Sequence, residues 1–152
     1  EYIYPFFFLF LRCKVIYNKN EILDVSYSPY NKREIKAFKL IFEDEISYSK
    51  KFLDRNYLDK LYKNKGEFDE IIIIKNGIVS DTSIANIAIF FFFSWITSKN
   101  CLLQGTTRNR LIEEKFLIEK NISVSMLKNA SKIALMNAMI GFDIKEDYSF
   151  SE

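Results

Sequence analysis

Four stretches of this 152-residue chain contain residue types that could do chemistry. Lys51 is the leading candidate for covalent work, because a lysine amine that is shielded from water can attack a carbonyl carbon. Asp81 could hold a carboxylate beside a cation. Residues 105–108 (GTTR) open a helical pattern, and the free N–H groups at a helix start can bind an anion such as phosphate. Asn137 and Ala138 end an apolar run that predicts a buried strand.

Each stretch also has a simpler structural explanation, and the residues alone leave both open. Most lysines are solvated surface residues. Asp81 could cap a turn with its own side chain, and the threonines of residues 105–108 could be ordinary helix N-caps. Asn137 could belong to a turn.

The chain contains no histidine, which excludes several classes of mechanism. Hydrolases with an imidazole base, zinc sites with histidine ligands and haem with a proximal histidine all need that residue. A nucleophile or base must therefore be Lys, Tyr, Asp, Glu or Cys. Cys13 and Cys101 lie far apart and form no Cys-x-x-Cys pair, so neither a metal site nor a disulfide framework is predicted. A reduced, cytoplasmic location is expected.

Length and composition indicate one folded domain, or one and a fraction. Apolar residues make up 49% of the chain, and a net charge of +2 gives no reason to expect nucleic acid or a membrane as a partner. The stretch Ile84–Ile96 is about 13 residues, short of the roughly 20 that span a bilayer. The first eleven residues, which include Phe6–Phe8, lack the basic segment and cleavage site of a signal peptide.

The elements that must position these residues are a mixture of strands and helices. Alternating apolar residues predict strands within 13–42. Helical spacing over 51–65 predicts an amphipathic helix with Lys51 in its first turn. Asn76-Gly77 separates two apolar runs and favours the positive φ angles of a type I′ turn, which predicts a hairpin over 70–81.

The second half of the chain predicts an alternation of short elements. Consecutive apolar residues predict a strand over 86–93 that is covered on both faces. A helix is predicted from the GTTR stretch to about Lys120, with Thr106 or Thr107 as its N-cap. The remaining predicted elements are a strand at 122–124, a helical turn at 126–130, and strands at 132–139 and 141–145. The predicted fold class is α+β.

A lysine, a carboxylate and a phosphate-binding helix start are the three groups that pyridoxal phosphate requires of a protein. The lysine bonds to the cofactor, and the carboxylate keeps the pyridine nitrogen protonated. Helix-end amides and hydroxyls hold the phosphate.

Residues 51–142 resemble the large domain of the class IV aminotransferases. These fold-type IV pyridoxal phosphate enzymes include branched-chain and D-amino acid aminotransferases and aminodeoxychorismate lyase. Residues 69–87 are similar to the family's hairpin, in which a carboxylate reaches the pyridine nitrogen and an asparagine follows five positions later. Trp95, Thr97, Leu103 and residues 105–108 fit the next block, whose Gly-x-x-Arg turn opens the phosphate-binding helix.

The resemblance implies roles for six residues. Lys51 would be the catalytic lysine bonded to the cofactor. Asp81 would pair with the pyridine nitrogen, where the family usually has the longer glutamate. The phosphate would be held by residues from two loops: Thr106, Thr107, Asn137 and Ala138.

The resemblance also implies an architecture and a partner. A fold-type IV large domain would occupy residues 45–152, behind a remnant of the small N-terminal domain and hinge over 1–44. Only fifty residues precede Lys51, fewer than the family has, so we expect a short or truncated small domain. Members are usually homodimers, and a homodimer acting on a small amino substrate is expected.

Two short patterns favour one activity within the family. Lys51-x-x-Asp54-Arg55 and Asn137-Ala138-Met139 are closer to the lyase's patterns than to those of the transaminases. The implied reaction releases pyruvate from 4-amino-4-deoxychorismate and gives 4-aminobenzoate, a step of folate synthesis. Two alternatives stay open: a branched-chain or D-amino acid aminotransferase, and a truncated, inactive member that acts as a binding or dimerisation module.

Overall fold

The computed structural model describes residues 10–152, and the chain divides into two compact units, Glu1–Arg33 and Glu34–Glu152. The run Phe6–Phe8 lies outside the described residues, as does most of the eleven-residue N-terminal segment. The prediction that this segment is not a signal peptide therefore stays a prediction. The domain boundary implied at residue 44 by the family resemblance stays a prediction.

The first unit contains a two-stranded antiparallel ribbon. β1 (Leu11–Tyr17) pairs with β2 (Ile22–Pro29), as the alternating pattern predicts. The Asn18 side chain accepts hydrogen bonds from two backbone N–H groups of the turn between the strands. Most residues of both strands are exposed.

The second unit is built on a mixed sheet of nine strands with three short helices. In chain order the elements are β3 (Ala37–Phe42), α1 (Asn56–Lys63), β4 (Glu70–Lys75), β5 (Ile78–Thr82), β6 (Asn86–Phe91), β7 (Ser94–Ser98), α2 (Thr106–Glu113), β8 (Leu117–Lys120), α3 (Val124–Lys128), β9 (Lys132–Asn137), β10 (Gly141–Lys145) and β11 (Ser149–Ser151). The strand order is β10-β9-β6-β5-β4-β3-β11, with β7 beside β6 and β8 beside β7. This architecture confirms the predicted α+β class.

The hairpin at the centre of the sheet is the best-predicted element. Asn76 and Gly77 have φ angles of 49° and 74°, the positive values that the type I′ turn requires. The four isoleucines of β4, Ile71–Ile74, are fully buried because both faces of this strand are covered. Burial of this hairpin fixes the strand that ends near Asp81.

The helix predicted over 51–65 is shorter than expected. α1 begins only at Asn56, and Lys51 lies in an irregular segment before it. The Asp54 carboxylate accepts a hydrogen bond from the Asn56 N–H, so a side chain takes a backbone donor at the point where the helix starts. The prediction that Lys51 lies in the first helical turn is wrong.

The helix predicted to run to Lys120 ends at Glu113. Lys115 has a φ of 60°, and the N–H groups of Lys115 and Phe116 bond back to the carbonyls of Ile112 and Leu111. This is a Schellman motif, which ends a helix with a residue in the left-handed region. The chain then forms β8, which pairs in parallel with β7.

Two further boundaries differ from the prediction. The strand predicted over 86–93 ends at Phe91, because Phe92 and Phe93 adopt positive φ angles and turn the chain into β7. The strand predicted at 122–124 is reduced to a single bridge, between Ile78 and Ser123. The Ser123 hydroxyl caps α3 by accepting the Met126 N–H. The strand pair predicted at the end of the chain is confirmed as β9 and β10.

Candidate functional site

A pocket of about 260 Å³ in the second unit gathers five of the six predicted site residues. Its wall includes Lys51, Asp81, Thr106, Asn137 and Ala138, which come from four separate parts of the chain. Thr107, the sixth, does not line the pocket; it is buried at the second position of α2. The roles assigned to these residues stay predictions, but their assembly at one pocket is a finding.

Asp81 forms the buried part of this pocket. The residue is only 4% exposed. Oδ1 accepts a hydrogen bond from Asn86 Nδ2 at 2.8 Å, and Oδ2 accepts the backbone N–H groups of Leu102 and Leu103 at 2.8 and 3.0 Å. Three donors therefore hold the carboxylate in one orientation.

Burial raises the pKa of Asp81 from 3.8 to about 6, because the charged form loses its hydration. The hydrogen bonds from Asn86, Leu103 and Leu102, and the positive charge of Arg108, oppose this rise. Because this pKa still lies below 7, the carboxylate is mostly ionised at pH 7. A buried, ionised carboxylate favours a cationic group beside it.

A tight turn between β5 and β6 sets the Asp81 position. Thr82 Oγ1 accepts the N–H of Ala85 at 2.9 Å and donates to the Ala85 carbonyl at 3.0 Å. This turn places Asn86 directly across from Asp81 in the β5–β6 register. The sequence Asp81-x4-Asn86 therefore encodes a cross-strand contact.

Asn86 is a positioning residue that the six assigned roles leave out. Its Nδ2 also donates to the Leu103 carbonyl at 2.7 Å, so one amide connects Asp81 to the loop before α2. A Cβ at Gly105 would lie 2.2 Å from Asn86 Oδ1, so any larger residue at this point would require the Asn86 side chain to shift. The sequence signal that could have identified this role is that Asn86 is the one polar residue of the apolar strand β6.

The start of α2 forms another side of the pocket. Gly105 is the N-cap and makes no side-chain cap, so the predicted N-cap role of Thr106 or Thr107 is wrong; both are helical residues. In the first turn of a helix, backbone N–H groups have no intrahelical acceptor. Together with the Thr106 hydroxyl, they form a donor set suited to an anion.

Arg108 fixes this helix start to the sheet. It is only 2% exposed, and its Nη2 donates to the Ser98 carbonyl at 2.9 Å and pairs with the Glu119 carboxylate. Ser98 ends β7 and Glu119 belongs to β8. The start of α2 is therefore held by a buried cation that does not line the pocket.

Asn137 serves the turn between β9 and β10. Its Oδ1 accepts the N–H groups of Met139 and Ile140 at 2.8 and 3.0 Å, and its Nδ2 donates to the Ile84 carbonyl at 3.1 Å. The side chain thus connects this turn to the β5–β6 turn. This contact brings Ala138, the exposed residue of the turn, to the pocket wall.

Lys51 is an exposed residue of the pocket wall, as Thr106 and Ala138 are, and within residues 10–152 its ammonium makes no hydrogen bond or ion pair. Arg55, one of the pocket residues that the six assigned roles omit, lies beside it on the wall. Its Nη2 donates to the Ser83 carbonyl at 2.9 Å.

Two negative findings apply to the described part of the chain. No group of three or more Cys, Asp or Glu side chains there could hold a metal ion. None of its helices is long and apolar enough to cross a membrane.

The fold and the pocket define a class of protein, and comparison with known proteins gives the family. An α+β domain brings an exposed lysine, a buried carboxylate and a helix start to one pocket, and this set of groups suits pyridoxal phosphate. The profile of the amino-transferase class IV family matches residues 49–145. The chain belongs to this family, whose members depend on pyridoxal phosphate.

Two relatives from Haemophilus are similar over most of the chain. An uncharacterized protein of Haemophilus influenzae (strain Rd) is 36% identical over 131 residues, 86% of this chain and 69% of the relative. A crystal structure from Haemophilus somnus 129PT, named as a candidate 4-amino-4-deoxychorismate lyase, is 40% identical with a TM-score of 0.80. That match covers 86% of this chain and 67% of the other.

A more distant structure supports the fold alone. A hypothetical aminotransferase from Mycobacterium tuberculosis, solved in its pyridoxal phosphate-bound form, is 16% identical with a TM-score of 0.71. The match covers 84% of this chain and 54% of that protein.

Proposed function

We propose that this chain is a pyridoxal phosphate-dependent lyase that releases pyruvate from 4-amino-4-deoxychorismate and forms 4-aminobenzoate. One observation carries the proposal: Lys51, whose amine has no polar partner within residues 10–152, shares a pocket with the buried carboxylate of Asp81 and the start of α2. We also propose that the chain acts as a homodimer, as members of the family usually do.

Each side of the pocket would hold one part of the cofactor. The Lys51 amine would bond to it covalently. Asp81 would pair with the ring nitrogen, since its carboxylate is ionised at pH 7 and is already oriented by three donors. The first-turn N–H groups of α2, the Thr106 hydroxyl and the Ala138 loop would hold the phosphate.

When bound, pyridoxal phosphate supplies an electron sink that stabilises negative charge on the substrate carbon next to the amine. The residues of the chain then move one proton. The substrate amine would displace the Lys51 amine, and the freed Lys51 Nζ would take the proton from the amine-bearing ring carbon and deliver it to the methylene carbon of the enolpyruvyl group. The bond between the ring and the ether oxygen breaks, pyruvate leaves, and the ring becomes aromatic.

The preference for a lyase over a transaminase has two supports. The Haemophilus somnus structure, at 40% identity, is named as a candidate lyase. The Lys51-x-x-Asp54-Arg55 pattern is also closer to the lyase's. A transaminase would use the same Lys51 and Asp81, so the products must decide: the lyase makes 4-aminobenzoate and pyruvate without any 2-oxo acid. A strict requirement for a 2-oxo acid acceptor would instead identify a transaminase.

Covalent trapping tests the cofactor directly. The protein is incubated with pyridoxal phosphate, reduced with borohydride, digested and sequenced by mass spectrometry. Wild type and Lys50→Ala should carry the reduced adduct at Lys51, and Lys51→Ala should lose it. Lys50 is the matched control because it is an exposed neighbour that does not line the pocket. A wild type without adduct at Lys51 would favour an inactive binding or dimerisation module.

A further inference from the structure

The Arg55 guanidinium is held at the pocket wall by two contacts, which leave some of its N–H donors available. Nη2 donates to the Ser83 carbonyl at 2.9 Å, and Nε lies 3.4 Å from the Asp59 carboxylate. A guanidinium carries five N–H donors, so these two contacts leave three without an acceptor in the described chain. The Ser83 carbonyl and the short reach to Asp59 fix the plane of the group.

Arg55 also lies between the site pocket and a neighbouring groove. It lines the site pocket together with Lys51, and it lines a wider groove of about 510 Å³ beside that pocket. The groove is formed by residues 46–48 and 52–58. Arg55, Tyr48 and Leu58 are common to both spaces, so the guanidinium stands at their junction.

The charges on this side of the pocket favour an anion. Lys51 and Arg55 are both cationic, and Arg55 has a side chain that is one-third exposed. The Asp81 carboxylate does not neutralise them, because it is buried and its oxygens already accept three hydrogen bonds. A partly desolvated guanidinium with free N–H groups binds a carboxylate with strong, charge-assisted hydrogen bonds.

We propose that Arg55 binds a carboxylate of the substrate at the Lys51 side of the pocket and thereby selects carboxylated amines over neutral ones. The inference rests on the proposed function, which supplies a substrate with an amine at one end and carboxylates elsewhere. It assigns Arg55 as a specificity-determining residue. Lys51 acts on the amine-bearing carbon, and Arg55 sets which molecules bring that carbon to it.

A purely structural role for Arg55 makes a different prediction. If Arg55 only clamps the β5–β6 turn to the start of α1 through Ser83, its loss would disturb the pocket for every ligand equally. A carboxylate-binding role would affect only ligands that carry the carboxylate.

Paired probes separate these roles. The affinities of 4-aminobenzoate and of 4-aminobenzamide, its neutral analogue of the same shape, are measured by isothermal titration with and without pyridoxal phosphate. In wild type the carboxylate should bind more tightly than the amide. Arg55→Gln should lower that preference about tenfold or more, as for loss of a hydrogen bond to a charged group. Arg110→Gln should leave it unchanged, because Arg110 has a similar i,i+4 partner, Glu114, but lies outside the pocket.

Each outcome is decisive for Arg55. A parallel loss of both affinities in Arg55→Gln, or an unchanged preference, would overturn the proposal. Borohydride trapping of the same variants tests the function separately: an adduct at Lys51 with an unchanged preference sinks only the Arg55 assignment. A wild type without adduct sinks the proposed function, while the ratio measured without cofactor still decides the role of Arg55.

Discussion

Two walls of the same pocket are built in opposite ways. The Asp81 wall consists of buried and half-buried residues whose polar atoms are bonded to one another: Asp81, Asn86, Leu102, Leu103 and Gly105. The Lys51 wall consists of Lys51 and Arg55, which lie at or before the start of a short helix and keep donors free. One wall is part of the folded core, and the other is available to a ligand.

This difference separates stability from chemistry. Substitutions in the Asp81 wall should change the free energy of unfolding, because they break buried contacts that exist without any ligand. Substitution of Lys51 should leave that free energy nearly unchanged and abolish binding or reaction. The following changes test the contrast, from the largest expected effect to the smallest.

The largest effect is expected from the charge of Asp81 in the cofactor-free protein. Its pKa is raised to about 6, so the folded state holds the proton more tightly than the unfolded chain. The resulting stabilisation is complete below about pH 4 and is lost as the pH rises through 6, by at most about 3 kcal/mol for a two-unit rise. Asp81→Asn should remove this pH dependence.

Urea denaturation at several pH values measures it. The difference in unfolding free energy between Asp81→Asn and wild type should move in favour of the variant between pH 4 and pH 7. Asp24→Asn, on the exposed β2 strand, is the control and should show no such trend. If the unfolding free energies of Asp81→Asn and wild type change with pH in parallel, burial of the charged Asp81 carboxylate does not destabilise the folded protein.

Gly105→Ala should be the next most damaging change. The φ angle at Gly105 is −68°, which alanine adopts freely, so the penalty comes only from the added Cβ, 2.2 Å from Asn86 Oδ1. Overpacking of this kind costs about 1–3 kcal/mol. Urea denaturation of the variant gives the value.

A double-mutant cycle with Asn86→Ala identifies the cause. If the contact with Asn86 is responsible, Asn86→Ala relieves it. The double variant should then lose less unfolding free energy than the sum of the losses of the two single variants. Strict additivity would locate the damage elsewhere.

The smallest change in stability is expected at Lys51. Its side chain is exposed and has no polar partner in the described chain, so Lys51→Ala should alter the unfolding free energy by no more than about 0.5 kcal/mol. The same variant should lose the cofactor adduct completely. A loss of several kcal/mol would mean that Lys51 belongs to the framework and that the contrast between the walls is wrong.

Local signals predicted the framework of the fold well. Asn76-Gly77 predicts its turn because few residue pairs tolerate two positive φ angles, and the consecutive isoleucines of β4 predict a strand covered on both faces. The same hairpin carries Asp81. The family resemblance connected six residues that are too far apart in the sequence for any local pattern to link, and five of the six line one pocket.

Other features depend on contacts that the sequence does not display. The start of α1 depends on Asp54 bonding to Asn56, and the end of α2 on a left-handed Lys115, a residue with no special preference for that conformation. Strand β8 forms because β7 offers it a parallel partner. Arg55 was visible as part of a pattern, but its place at the pocket follows from the Ser83 carbonyl.

The turn of Phe92 and Phe93 has a practical consequence for engineering. These rings are 82% and 91% exposed, and both residues have positive φ angles, because the pairing of Phe91 with Ser94 closes the hairpin with a two-residue turn. The strands impose the shape of this turn, and its side chains contribute little to the core. Neither residue lines the pocket. This tip is therefore a permissive insertion point, where a peptide tag or fluorescent label can be placed while the second unit stays intact.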